Sequence, residues 1–178
     1  MKTTQWKHEA QSILDIGCGS NPEGTTNLDL YTGTTPHHKY IIDPEQIKGF
    51  HQGNAENLPF MDNSFDLAIM SHVLEHTINP DKALQEAARV APRLILRVPN
   101  NPVQREHKEH LYTWSITSLN NLLHRHFSKV EIKPTTRPEY IADSRFFKYI
   151  GSIPILGQVL SRFIANLFQL ELVVYCEK

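Results

Sequence analysis

Ile13-Leu14-Asp15-Ile16-Gly17-Cys18-Gly19-Ser20 is the stretch whose reading decides the fold. An apolar run rich in β-branched residues stops abruptly at a Gly-x-Gly turn. Such a run reads as a buried parallel strand, and the glycines permit a loop that passes close to a ligand. A loop of this kind at the carboxyl end of a first strand is where open α/β sheets bind nucleotide-like molecules. A dinucleotide fingerprint wants a third glycine three residues on, and here Pro22 stands in its place. The turn alone does not decide between ligands.

Outward from that loop, strand-like and helix-like segments alternate. Ser12 to Ile16, Thr26 to Leu30, Lys48 to His51, Phe65 to Met70, Arg93 to Val98, Val130 to Lys133 and Leu170 to Cys176 read as strands. Asp81 to Val90 reads as an amphipathic helix announced by Asn79-Pro80, and Ser115 to Phe127 as a second helix with a Ser/Thr-rich entry. This alternation predicts an α/β fold with a doubly wound, mostly parallel sheet. Two segments break the rhythm. Ser20-Asn21-Pro22-Glu23-Gly24-Thr25 is turn chemistry, so the first crossover helix is missing or one turn long. Residues 141–170 form an unusually apolar insertion before the last strand, with Leu156, Val159, Leu160, Phe163, Ile164, Leu167 and Phe168 at helical spacing.

The bulk numbers are those of one globular unit. The chain has 178 residues, and we expect a single domain over 1–178. Hydrophobic residues make up 40% and the formal net charge is -1, so nothing global calls for nucleic acid or an anionic membrane. The polar first eleven residues do not read as a signal peptide, and no apolar run is long enough to span a bilayer. Cys18 and Cys176 do not make a disulfide framework, and a reducing, cytoplasmic setting is expected.

Three further features face the same end of the sheet. Asp29 closes the second strand, where a carboxylate can accept both hydroxyls of a ribose. An isolated loop aspartate is more often merely solvated. Asp43 is a second candidate, but it lies too near Gly53 to leave a normal crossover, so Asp29 is preferred. In His51 to Phe60, HQGNAENLPF, the Asn54 amide and the small Ala55 suit a slot that reads an adenine edge. Ser71 to Pro80, SHVLEHTINP, follows the strongest strand.

Taken together, ILDIGCGS at 13–20, NLDL at 27–30, GNAENLPFMDNSFD at 53–66, SHVLEH at 71–76 and RVPN at 97–100 resemble the class I S-adenosylmethionine-dependent methyltransferases, in particular the type 11 group. The resemblance implies a Rossmann-like sheet of seven strands with an antiparallel last strand. It implies S-adenosyl-L-methionine as cofactor and S-adenosyl-L-homocysteine as product. Asp15, Gly17, Cys18 and Gly19 would line its methionine part, Asp29 its ribose, Asn54 and Ala55 its adenine. Ser71 and His72 would border the reactive methyl. The family usually has Asp where this chain has Asn54.

Methyl transfer needs an acceptor held in line with the methyl–sulfur bond, and a hydroxyl or amine acceptor gains from a base near neutral pKa. His76 and His110 are the candidate catalytic residues, with His72 a further base. His72 and His76 stand at i, i+4, and His107 and His110 also fit ligand spacing. No cysteine pair or carboxylate pattern completes a cluster, so no metal is expected. Arg105 to His110 is either a solvated loop or a lid facing the substrate. The 141–170 insertion packs on the sheet, or forms an apolar lid, a dimer surface or a membrane-surface contact. The substrate is expected to be a small molecule. The alternatives are a cofactor-binding module without turnover and an NAD-dependent oxidoreductase.

Overall fold

The computed structural model describes residues 2–35, 38–100, 109–135 and 171–178. The 141–170 insertion and His107 lie outside them. Nine strands are named in chain order: β1 Ile13–Ile16, β2 Thr26–Asp29, β3 Gly33–Thr35, β4 His38–Ile42, β5 Phe50–Gln52, β6 Leu67–Ser71, β7 Arg93–Pro99, β8 Lys129–Thr135 and β9 Glu171–Glu177. The helices are α1 Lys2–Glu9, α2 Pro80–Val90 and α3 Ile116–Leu123.

Seven strands form one sheet in the order β5-β2-β1-β6-β7-β9-β8. The first five of these pair in parallel, while β9 runs antiparallel to both β7 and β8. The expected seven-stranded sheet with an antiparallel last strand is therefore present. Chain order reverses between β1 and β6, so the crevice beyond their carboxyl ends is the switch point at which α/β sheets bind ligands.

Side chains alternate across the sheet and build two cores. Leu14, Ile16, Ala68, Met70, Leu94, Leu96, Val174 and Cys176 face α2 and α3 in the larger one. Ile13, Leu67, Ile69, Ile95 and Tyr175 face the other way and close around Trp6 of α1. Helix α1 is polar apart from that one anchor, which is why its sequence carries no helical stripe. Helix α2 starts where Asn79 caps the Lys82 N–H and Pro80 opens the first turn. Helix α3 starts at a Ser115–Ser118 capping box. It is regular only to Leu123, but a tight turn continues its stripe and buries Phe127.

No helix links β1 to β2. Polar side chains hold the short turn in its place. Thr25 Oγ1 donates to Ile13 O at 3.1 Å, and Asn27 Oδ1 accepts the Gly24 N–H at 3.1 Å. Asn27 Nδ2 donates to Lys48 O at 2.7 Å. A Cβ on Gly24 would lie 2.5 Å from Thr26 O, so only glycine fits where the turn passes the strand. The link from β2 to β5 also lacks an α-helix: the β3–β4 hairpin and a 3-10 turn at Pro44–Gln46 occupy it. Asp43 caps that turn through Glu45 N and Gln46 Nε2. Its carboxylate thus has a structural partner at each oxygen.

Candidate active site

The residues expected to hold a cofactor follow the carboxyl ends of β1, β2, β5 and β6. Gly17 and Gly19 have φ of 73° and 55°, a left-handed conformation that favours glycine. Their surroundings differ. A Cβ on Gly17 would stand 2.2 Å from Val73 Cγ2, so this glycine admits the loop that follows β6. A Cβ on Gly19 would meet nothing within 4 Å, so this one opens onto space. Cys18 points the other way, buried with Ile42 and Ile47. Burial and the neighbouring carboxylates of Asp15 and Asp29 push its thiol up to about 12, so it is inert. Cys18 contributes backbone here, with its side chain in the core.

Two buried aspartates shape the loop. Asp29 Oδ2 accepts the Gly19 N–H at 2.9 Å, and Oδ1 accepts the Tyr31 N–H at 3.0 Å. Asp15 Oδ2 accepts the Glu23 N–H at 2.7 Å. Burial raises the Asp15 carboxyl from 3.8 to about 6, against the help of that hydrogen bond. Two carboxylates thus stand at the adjacent ends of β1 and β2.

Sequence reasoning missed the anchor of this loop. Glu23 pairs with Lys7 of α1 and, at 2.9 Å, with Arg97 of β7. Burial would raise its carboxyl, but the two cations outweigh it and hold it below its usual value. Arg97 also donates to Ser71 Oγ at 2.6 Å, so Ser71 is a partner of the loop's anchor at the end of β6. The signal was a lone cation inside the apolar strand RLILRV, which demands a buried partner.

The loop after β5 is tied to its neighbours. Gly53 N–H donates to Asp29 O at 2.9 Å, so the loop after β5 and the end of β2 share an edge. Asn54 is exposed, and its Oδ1 accepts the Glu56 N–H at 2.8 Å. That oxygen holds a local turn, and the amide N–H pair is the group left to donate outward. Ala55 is buried. Glu56 in turn accepts Ile78 and Asn79 N–H groups, and Glu86 of α2 accepts the Leu58 N–H at 2.8 Å.

The histidines separate into two kinds. His72 has a φ of 55°, unusual for a residue with a side chain. Its Nε2 lies 2.9 Å from Glu171 Oε1 and its Nδ1 lies 3.3 Å from Glu75 Oε1. Burial would lower its pKa, but the two carboxylates outweigh it and hold it up to about 9. At neutral pH His72 is a cation, which removes it as a base. His76 ends a 3-10 turn, Leu74–His76, and its Nδ1 stands 3.0 Å from Glu109 O. A carbonyl can only accept, so Nδ1 donates this bond. His110 packs edge-on against His76 with ring centroids 4.8 Å apart. The i, i+4 pairing of His72 with His76 gives way to this contact because the segment is not α-helical. Backbone bonds from Leu111 N and Tyr112 N to Glu75 O seat the 109–112 segment there.

Comparisons with known proteins agree with this arrangement. Residues 14–93 match the methyltransferase domain family of type 11. An uncharacterised methyltransferase of Bacillus subtilis, YcgJ, is 40% identical over 135 residues, covering 62% of this chain and 50% of that protein. Demethylmenaquinone methyltransferase of Paenarthrobacter aurescens is 35% identical over 102 residues, covering 52% of this chain and 40% of that protein. The chain thus spans half or less of the length of these curated relatives. A methyltransferase of Thermotoga maritima, at 17% identity, shares the fold with a TM-score of 0.66 over 96% of this chain and 83% of its own. The matched segment, residues 14–93, is similar to a methyltransferase domain, and it lies on the strand order described above.

Proposed function

We propose that this chain binds S-adenosylmethionine at the β1–β6 switch point and transfers its methyl group to a small-molecule acceptor. The observation that carries the reading is the joining of an open Gly19 to the buried carboxylate of Asp29 at adjacent strand ends. The cofactor supplies an electrophilic methyl on a sulfonium and carries an ammonium group. Asp15 and Asp29 suit a cationic ligand and repel a pyrophosphate, which argues against a dinucleotide. Asp29 would hold the ribose hydroxyls, and Gly19 would let the ligand lie against the backbone. Asn54 and Ala55 would meet the base. His76 and His110 would face the acceptor, where orientation is the main catalytic contribution.

Thermal melting with S-adenosylhomocysteine, S-adenosylmethionine and NAD tests the assignment. Stabilisation by the first two supports it, and stabilisation by NAD alone overturns it. The buried thiols Cys18 and Cys176 fit the cytoplasmic setting we propose. Among the described residues no helix is long and apolar enough to cross a membrane.

A further inference from the structure

Glu75 is fully buried, and among the described residues neither carboxylate oxygen accepts a hydrogen bond of good geometry, the His72 Nδ1 contact at 3.3 Å being its nearest polar partner. A buried carboxylate left in this state is costly, because its lost hydration is not replaced. His72 Nδ1 stands 3.3 Å from Oε1, and its Nε2 is turned to Glu171 at 2.9 Å. Beside Glu75 lie His76 and His110, and one potential ligand atom from each of the three lies within 4.8 Å of the others. Sequence spacing lacked a third convergent group for the histidines. The fold supplies it from between them in SHVLEH.

We propose that Glu75, His76 and His110 form a binding site for a first-row divalent transition metal of the zinc type. Two imidazoles and one carboxylate are a ligand set such ions accept, with positions left over for water or substrate. Ligand bonds of about 2.0–2.2 Å would draw the three groups together from their present spacing by roughly 1 Å. The surrounding bonds suit that role. His76 Nδ1 donates to the Glu109 carbonyl, the usual support for a ligating histidine. His72 is placed to orient Glu75 from behind. The metal would compensate the buried carboxylate and bind an oxygen of the acceptor, lowering its pKa. This last role rests on the methyl-transfer reading, while metal binding itself does not.

The test is a titration of the untagged, metal-stripped chain with Co²⁺, followed by its visible d–d absorption, with no cofactor present. The expected result is one equivalent bound, displaced by Zn²⁺. His76→Ala and His110→Ala should each weaken binding by about tenfold or more, and His110→Cys should restore it with a thiolate charge-transfer band. Circular dichroism confirms that each variant is folded. His110→Ala carries the test if His76→Ala is not folded, because His110 lies in a loop. Absence of a Co²⁺ band in the native chain, or an unchanged titration in His110→Ala, overturns the site. Neither result bears on S-adenosylhomocysteine binding, which is measured separately.

Discussion

Asp29 Oδ2 accepts the backbone N–H of Gly19 at 2.9 Å, which ties the end of β2 to the loop that follows β1. One carboxylate thus holds the glycine loop and, in the function proposed above, would also meet the ribose. Asp29→Asn keeps an oxygen for the Gly19 N–H and loses the charge. Its effect should fall on the ligand, with S-adenosylhomocysteine affinity down about tenfold or more by calorimetry. Asp29→Ala also leaves the Gly19 and Tyr31 N–H groups without their acceptor, and should lose about 1–3 kcal/mol of stability in urea.

Gly17 and Gly19 look equivalent in sequence but should respond differently to alanine. At Gly19 the added methyl meets nothing, so the stability cost is the left-handed backbone alone, roughly 1 kcal/mol. Cofactor affinity should fall more. At Gly17 the methyl collides with Val73, so Gly17→Ala should cost about 2–4 kcal/mol. Combining Gly17→Ala with Val73→Ala should recover part of that loss in a double-mutant cycle. Strict additivity would show that Val73 is not the obstacle.

Much of this arrangement was legible before any coordinates. Phe65 to Met70 and Arg93 to Val98 read as strands because a strand covered on both faces is continuously apolar. SNPEGT announced a crossover without a helix. What the sequence concealed depends on contacts distant along the chain. Helix α1 has one apolar anchor, Trp6, and so no period to detect. The Lys7–Glu23–Arg97 network joins three elements that local patterning treats separately. His72 and His76 sit at helical spacing, but a left-handed residue and a 3-10 turn break the helix. His76 then meets His110, from a later loop. Cys18, inside the most readable motif, turns into the core because its side chain has the hydrophobic pocket of Ile42 and Ile47 to fill.

The loop that carries Asn54 and Ala55 should depend on α2. Glu86 Oε2 accepts the buried Leu58 N–H at 2.8 Å, and Arg89 pairs with Glu86 while donating to Leu58 O and Phe60 O. Glu86→Ala leaves that N–H without a partner and removes the ion pair, for a loss of about 1–3 kcal/mol. Glu86→Gln retains an acceptor and should lose less. Weaker S-adenosylhomocysteine binding by Glu86→Ala, in a variant still folded, would connect this brace to the loop that carries Asn54 and Ala55. Unchanged affinity would assign Glu86 to stability alone.

Asp15 should make both stability and ligand binding depend on pH, in opposite senses. Its carboxyl is raised from 3.8 to about 6 by burial, so between those values the folded chain holds a proton that the unfolded chain has lost. The contribution of this group to stability therefore declines as pH rises from 3.8 and is fully unfavourable above 6. Each pKa unit corresponds to about 1.4 kcal/mol, so the decline is on the order of 3 kcal/mol. Asp15→Asn cannot ionise, and its stability relative to the native chain should grow across that window in urea titrations. A cationic ligand beside Asp15 favours the ionised form. Affinity for S-adenosylhomocysteine, which keeps the ammonium but lacks the sulfonium, should rise between pH 5 and pH 7 in the native chain and stay flat in Asp15→Asn. A flat profile in both proteins would place the ammonium away from Asp15, and the carboxyl would then serve only to hold the Glu23 N–H.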